Sequence, residues 1–413
     1  MTLTRGLDDL VAVALVAALA PLVVGALPGP RIPQVVVFLL GGVLIGPHVL
    51  GFAESSSIQL LSNIGLGFLF LLAGYELEPR LLREQPGRLA IGGWLISAAI
   101  AVGVAAGLTA AGYIRDYVPV GLALTTTALG TLLPILRDNG MLVGRFGQDV
   151  FAAGAVGELF PILIIAVFLT KRGHFVALAS VAGVGALALA LTVVPRLARS
   201  VPVQRIVAEG QDATGQVTLR WSMVLLFGLL AVASRFGLDV VLGAVLAGMV
   251  LRGWTRRLSL DTTSLERKFD TVGYGIFIPI FFISSGMTLD LKAISEDPLR
   301  LLTFFALLLI VRGLPSLLVY RHTLPARQRL EMTFITATTL PLLIALAAVG
   351  EQDGVMLPAT AASMIGAGVL SVLVYPLIAV ALHRRAALTP ADVGMTEARA
   401  AGTSAQVQDP GKH

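Results

Sequence analysis

Thirteen hydrophobic segments, most of them long enough to cross a bilayer and separated by short polar loops, constrain this chain more than any other feature. They lie near residues 10–28, 33–50, 57–76, 89–111, 118–136, 148–170, 175–195, 218–234, 238–251, 272–289, 300–320, 330–349 and 357–383. Continuous apolar runs of about 20 residues span a bilayer as helices, whereas a membrane barrel shows shorter alternating stretches. The composition agrees, with 56% hydrophobic and only 13% charged residues, against about one quarter charged in a soluble chain. The expected fold class is an all-α integral membrane protein with about 13 transmembrane helices. The first segment has neither a basic leader nor a small-residue cleavage site, so it reads as a retained span.

The positions of Lys and Arg orient the spans. Of the 30 basic residues, 22 fall in one set of alternate loops and the C-terminal tail, among them Arg80, Arg83, Arg137, Arg252 and Arg384. Seven fall on the other side, and Arg312 lies inside the eleventh segment. This bias predicts a multi-pass protein of the cell membrane with its N-terminus outside and its C-terminus in the cytoplasm. It also accounts for the formal charge of +5 without a nucleic-acid partner; membrane lipid is the expected surrounding. Residues 386–413 turn polar and are expected to form a disordered cytoplasmic tail. Cysteine is absent, which excludes disulfides and thiolate metal sites. No nucleotide-binding motif occurs where it could work, so the reading is a transporter rather than an enzyme, with no ATP and no cofactor.

An internal repeat is visible. LGGVLIG (Leu40 to Gly46) matches LGAVLAG (Leu242 to Gly248), and FLFLLAGYELE (Phe68 to Glu78) matches IFFISSGMTLD in pattern, aligning Gly74 with Gly286. TTTALGT (Thr125 to Thr131) matches TATTLPL (Thr336 to Leu342). The matched spans are seven apart, an odd number, so the two copies run in opposite directions across the membrane. The expected organisation is a transmembrane domain over 1–385, with repeat 1 near 33–170, a linker helix at 175–195 and repeat 2 near 238–383. The fifth and twelfth spans are crowded with helix-breaking residues: Thr125, Thr126, Thr127, Gly130 and Thr131 in one, Thr336, Thr338, Thr339 and Pro341 in the other. Interrupted helices survive at membrane depth only where protein or a wet cavity covers them, and paired interruptions in corresponding halves mark an ion or substrate site. Two crossed, broken helices are therefore expected.

The sixth span, FAAGAVGELFPILIIAVFLT, carries Glu158 near its middle, with Gly154 and Pro161 on either side. A carboxylate at that depth costs several kcal/mol unless it is neutralised, paired or facing water, and such residues are functional by default. Glu158 can hold either a proton or a desolvated monovalent cation, and that competition is the minimal chemistry of exchange. Oxygens of Thr127 and Thr338 are expected to complete the coordination. Asp149, about 13 Å away along the helix, reads as a helix-start acid that could line the cytoplasmic entrance. Arg312 is too deep to reach the interface and is expected to be the charge partner of Glu158, displaced when a cation arrives.

These features resemble the second family of the monovalent cation:proton antiporter superfamily, which includes sodium/proton and potassium-efflux exchangers. The resemblance rests on PQVVVFLLGGVLIGPHVLG (Pro33 to Gly51), FLLAGYELEP and PIFFISSGMTLDL (Pro279 to Leu291), and covers most of residues 10–383. It implies the sodium/proton antiporter fold, a homodimer, a dimerisation domain beside a mobile core, and Glu158 and Arg312 as the ion-site pair. Many relatives have two adjacent polar residues where this chain has Gly157 and Glu158. One carboxylate with a non-titrating arginine implies electroneutral exchange of Na⁺ or K⁺ for H⁺ by alternating access. An organic-solute transporter on the same scaffold and a non-transporting ion sensor remain alternatives at this level.

Overall fold

The computed structural model describes residues 3–26, 33–77, 79–114, 117–168, 174–193, 216–258, 262–352 and 354–387. Arg31, Arg115, Lys171, Arg172, Arg196, Arg199 and Arg205, used to orient the chain, lie outside these residues, as does the polar tail beyond Ala387. The last helix continues through Ala386 and Ala387, where the tail was expected to begin.

The described residues form helices and connecting turns. The first half comprises α1 (Leu3–Ala26), α2 (Gln34–Ile45), α3 (Ser55–Glu76), α4 (Pro79–Arg83), α5 (Gln85–Ala110), α6 (Tyr117–Leu124), α7 (Leu129–Asp138), α8 (Gly144–Phe168) and α9 (His174–Leu191). The second comprises α10 (Val217–Arg235), α11 (Val240–Leu258), α12 (Thr262–Val272), α13 (Ile278–Met287), α14 (Leu291–Glu296), α15 (Pro298–Leu308), α16 (Pro315–Val319), α17 (Ala326–Ala337), α18 (Pro341–Gln352) and α19 (Pro358–Ala387). Among the described residues, nine helical stretches are long and apolar enough to cross a membrane, and three shorter apolar ones accompany them. The described part of each of the thirteen hydrophobic segments is mostly helical, and nine helical stretches have the length of a span.

Among the described residues, two helices widen into π turns, both ahead of a proline. Gly273–Phe277, between α12 and α13, and Leu309–Gly313, between α15 and α16, are wide π turns. Pro279 and Pro315 have no N–H to give to the carbonyl four residues back, so the ladder is interrupted there and the backbone widens. Arg312 sits in the second of these turns.

The repeat is legible in the packing. A Cβ on Gly248 of α11 would come within 2.6 Å of the Tyr75 nitrogen on α3, and one on Gly46, just after α2, within 2.9 Å of the Met287 Cα at the end of α13. Gly46 and Gly248 are matched positions of the repeat, and so are Tyr75 and Met287. The α2–α13 and α3–α11 contacts are thus one contact seen twice in opposite orientations. Missing side chains let these backbones touch, which is the usual device where water gives helices no reason to associate. Gly74 against the Val245 carbonyl and Gly286 against the Leu39 carbonyl extend the same seam.

Beside this seam lie the two interrupted spans. α6 stops at Leu124 and α7 starts at Leu129; α17 stops at Ala337 and α18 starts at Pro341. The hydroxyls of Thr125 and Thr126 donate to the Leu122 and Ala123 carbonyls, both at 2.7 Å, alongside their own N–H groups at 3.0 and 3.3 Å, and so tighten the end of α6. The two breaks meet. Ala128 N–H donates to the Thr338 carbonyl at 2.9 Å, and the Thr126 and Thr339 hydroxyl oxygens lie 2.6 Å apart. Ser371 of α19 completes the second break, accepting from Thr339 N–H at 3.1 Å and donating to its carbonyl at 2.8 Å.

Candidate ion-binding site

Glu158 is buried in α8, and its Oε1 accepts the Leu129 N–H at 2.8 Å, with the Gly130 N–H also bonded to the carboxylate. Leu129 and Gly130 are the first two residues of α7, whose N–H groups have no partner within their own helix. A half-helix start at membrane depth thus points its donors and positive dipole end at a carboxylate. Gly154, one turn before Glu158, makes the approach feasible, because a Cβ there would meet the Leu129 side chain at 2.6 Å.

Pro161 ties the same helix to the crossing. It lacks the N–H that would bond the Gly157 carbonyl, and that carbonyl instead accepts the Thr127 N–H at 3.2 Å. Both Gly157 and Glu158 therefore hold the α6–α7 break, one through its backbone and one through its side chain.

The expected ion pair between Arg312 and Glu158 does not form. Arg312 is 2% exposed, and its Nε donates to Thr127 Oγ1 and its Nη2 to the Ala153 carbonyl, both at 2.9 Å. The reason lies in helix geometry. Gly154 and Glu158 face the start of α7, whereas Ala153 and Gly157 form the adjacent face, turned by about 100°, and Arg312 lies on that one. Arg312 thus packs against Gly157, the residue before the carboxylate, and is bonded to neutral oxygens.

The threonine hydroxyls are bonded to protein oxygens. Thr127 Oγ1 donates to the Thr336 carbonyl at 2.7 Å while accepting from Arg312, and Thr338 Oγ1 donates to the Phe334 carbonyl at 2.9 Å. Neither hydroxyl bonds Glu158; that of Thr127 braces the crossing, and that of Thr338 bonds back to the end of its own helix. Thr336 Oγ1 likewise bonds within its own helix, to Met332 O at 2.9 Å, and meets Ser316 Oγ at 3.1 Å. Thr131 Oγ1 donates to Ala128 O at 3.1 Å. Asp149 is not at an entrance. It is fully buried and pairs with Arg145 across one helical turn at 3.2 Å, while its neighbour Gln148 faces open space.

That open space is a cavity of about 590 Å³ between α3, α7, α8, α11 and α12, lined from Gly130 at the start of α7 to Arg137 near its end. At its inner end it reaches Gly130, whose N–H bonds Glu158. Its walls carry Glu76, Glu266 and Asp270, opposed by Arg137 and Arg252, with Tyr274 nearby. Glu76 is the notable omission from the sequence reading. Its Oε2 is buried without a hydrogen-bond partner, and it shares a small void with Leu129, Phe151 and Ala155. Its place at the end of a hydrophobic run was the available signal. On the opposite side the seam is shut by buried Ile162, Ile165, Val241, Leu342 and Leu346, leaving a void of only about 10 Å³.

Comparison with known proteins adds to this geometry. A family model described as "Sodium/hydrogen exchanger, transmembrane" matches residues 12–384. The chain is 25% identical over 401 residues to "Putative Na(+)/H(+) antiporter YjbQ" of Bacillus subtilis (strain 168), covering 91% of this chain and 63% of that protein. It is 26% identical over 368 residues to glutathione-regulated potassium-efflux system protein KefC of Enterobacter sp. (strain 638), covering 84% of this chain and 56% of that protein. The chain thus spans somewhat over half the length of these curated relatives. The solved structure of the sodium proton antiporter MjNhaP1 from Methanocaldococcus jannaschii at pH 8 superposes with a TM-score of 0.65 at 17% identity, covering 91% of this chain and 95% of that one. That likeness shows a shared fold.

Proposed function

The chain belongs to the transmembrane sodium/hydrogen exchanger family, and on that premise we propose that it is a secondary antiporter exchanging Na⁺ or K⁺ for H⁺ at Glu158. The observation that carries the reading is one-sided access. The cavity reaches the α7 start that holds the carboxylate, while on the other side apolar side chains and Asp239 leave a void of only about 10 Å³. A carboxylate reached from one side at a time can release a proton to one compartment and take a cation from the other. The printed names of the relatives, a Na⁺/H⁺ antiporter and a potassium-efflux system, support the ion classes.

In this proposal the crossing, α8 and Arg312 move together against the glycine seam, and the cavity marks the cytoplasmic side, in keeping with Arg137 and Arg252 at its rim. The protein lies in the cell membrane with its N-terminus outside, and works as a homodimer. Glu76 supplies a second carboxylate on the path to Glu158. With Arg312 bonded to neutral oxygens, Glu158 is the single acid at the crossing that trades a proton for a cation, so exchange is electroneutral. Repeat 1 near 33–170, the linker at 175–195 and repeat 2 near 238–383 are the units of this machine.

The test is cation-induced proton movement in everted vesicles or proteoliposomes, with Li⁺, Na⁺, K⁺ and Rb⁺ compared across pH 6–9. Wild-type protein should respond to Na⁺ or K⁺, and Glu158→Gln should abolish the response while the protein remains folded. Wild-type rates in that variant would remove Glu158 from the site.

A further inference from the structure

We infer that the helix crossing contains a second cation subsite, which the protein fills with its own guanidinium. Thr127 Oγ1 gives its proton to the Thr336 carbonyl at 2.7 Å, so toward Arg312 it presents only lone pairs. The Ala153 carbonyl supplies the other oxygen, at 2.9 Å from Nη2. A hydroxyl and a main-chain carbonyl are neutral oxygen donors of the kind that hard cations take.

The subsite exists because position 157 has no side chain. A Cβ there would stand 2.7 Å from Thr127 Oγ1 and 2.8 Å from Arg312 Nη2, closer than real Cβ contacts come. Gly157 is thus the floor of the subsite as well as a backbone acceptor. Arg312 reaches it from the π turn ahead of Pro315, and no described carboxylate bonds it. Its charge is carried by the geometry of the crossing. The planar fork spans two oxygens in fixed directions, which an ammonium of similar charge cannot reproduce.

Removing the guanidinium should leave a site that a soluble guanidinium can fill. The full-length Arg312→Ala protein, purified in detergent, is titrated with methylguanidinium chloride against equal concentrations of KCl. A saturable rise in melting temperature is expected from methylguanidinium alone, absent in wild type and in the Arg312→Ala/Gly157→Ala double variant, whose added Cβ occupies the floor. In proteoliposomes Arg312→Ala should lose exchange by roughly tenfold or more, the equivalent of one charge-assisted hydrogen bond, and methylguanidinium should restore it. No specific shift in the folded single variant, or the same shift in wild type or the double variant, overturns the inference. Where Arg312→Ala is not recovered folded, Arg312→Ser is expressed with and without the probe; recovery that methylguanidinium does not raise overturns it too. The kinetic arm rests on the proposed exchange, but the melting arm does not. A wild-type protein that moves no cation would sink the antiport reading and leave the subsite standing.

Discussion

Thr339 donates its hydroxyl proton to Thr126 across the crossing of the two broken helices, over 2.6 Å. The direction follows from bookkeeping of protons, since the Thr126 hydroxyl gives its own to the Ala123 carbonyl at 2.7 Å. The two halves of the repeat are therefore joined by a polarised chain running from one break into the end of α6.

That polarity makes the two threonines unequal. Thr126→Val strands the Thr339 hydroxyl and leaves the Ala123 carbonyl only the Thr126 N–H at 3.3 Å, whereas Thr339→Val leaves Thr126 with its donor bond intact. A stranded buried group costs about 1–3 kcal/mol, so Thr126→Val should lower the melting temperature more. The double variant should cost less than the sum of the singles, because residues sharing one network are not additive. Equal singles with a strictly additive double would contradict the assigned direction.

The glycine seam admits a sharper steric test. Gly248→Ala places a methyl 2.1 Å from the Leu71 carbonyl oxygen, a backbone atom that cannot rotate away. The helices must separate, at a cost of about 1–3 kcal/mol or more, and folded yield should fall. Gly92→Ala is the control, because nothing lies within 4 Å of its added Cβ. In mid-helix it should be neutral or stabilising by up to about 1 kcal/mol. The comparison is read as melting temperature and monodisperse fraction in one detergent.

Glu76 lines the cavity with one oxygen unpartnered, so it should concentrate cations ahead of Glu158 without itself being the exchange site. Glu76→Gln is expected to raise the KM for the cytoplasmic cation by roughly threefold or more while sparing the maximal rate, with a smaller penalty at high ionic strength. Complete loss of exchange would instead make Glu76 an obligatory ligand. An unchanged KM would remove it from the path.

Much of this arrangement could be read in the residues before any coordinates. The broken spans followed from threonines, Gly130 and Pro341, whose local chemistry competes with a helix wherever they are placed. The repeat followed from glycines whose spacing is set by backbone contact. What could not be read was azimuth. Gly157 and Glu158 are consecutive, and only the packing of α8 decides which of them faces Arg312 and which faces Leu129. The same blindness left Asp149, a helix-start acid, as a possible lining of an entrance that Gln148 lines, and hid Glu76, whose neighbours in the cavity wall come from α7 and α12 far along the chain. The oxygens of Thr127 and Thr338 could be inventoried from composition, but not the bonds that their hydroxyls already make to the Thr336 and Phe334 carbonyls.

The proline at 161 has a mechanical consequence. By withholding one rung of its own helix, it leaves the Gly157 carbonyl to Thr127, and so splices α8 to the break of its neighbour. The carboxylate of the next residue is anchored to the other lip of that break. Displacing Glu158 alone would mean severing both splices at once. Whatever stroke carries a bound ion from one face of the membrane to the other must therefore carry its cradle as cargo.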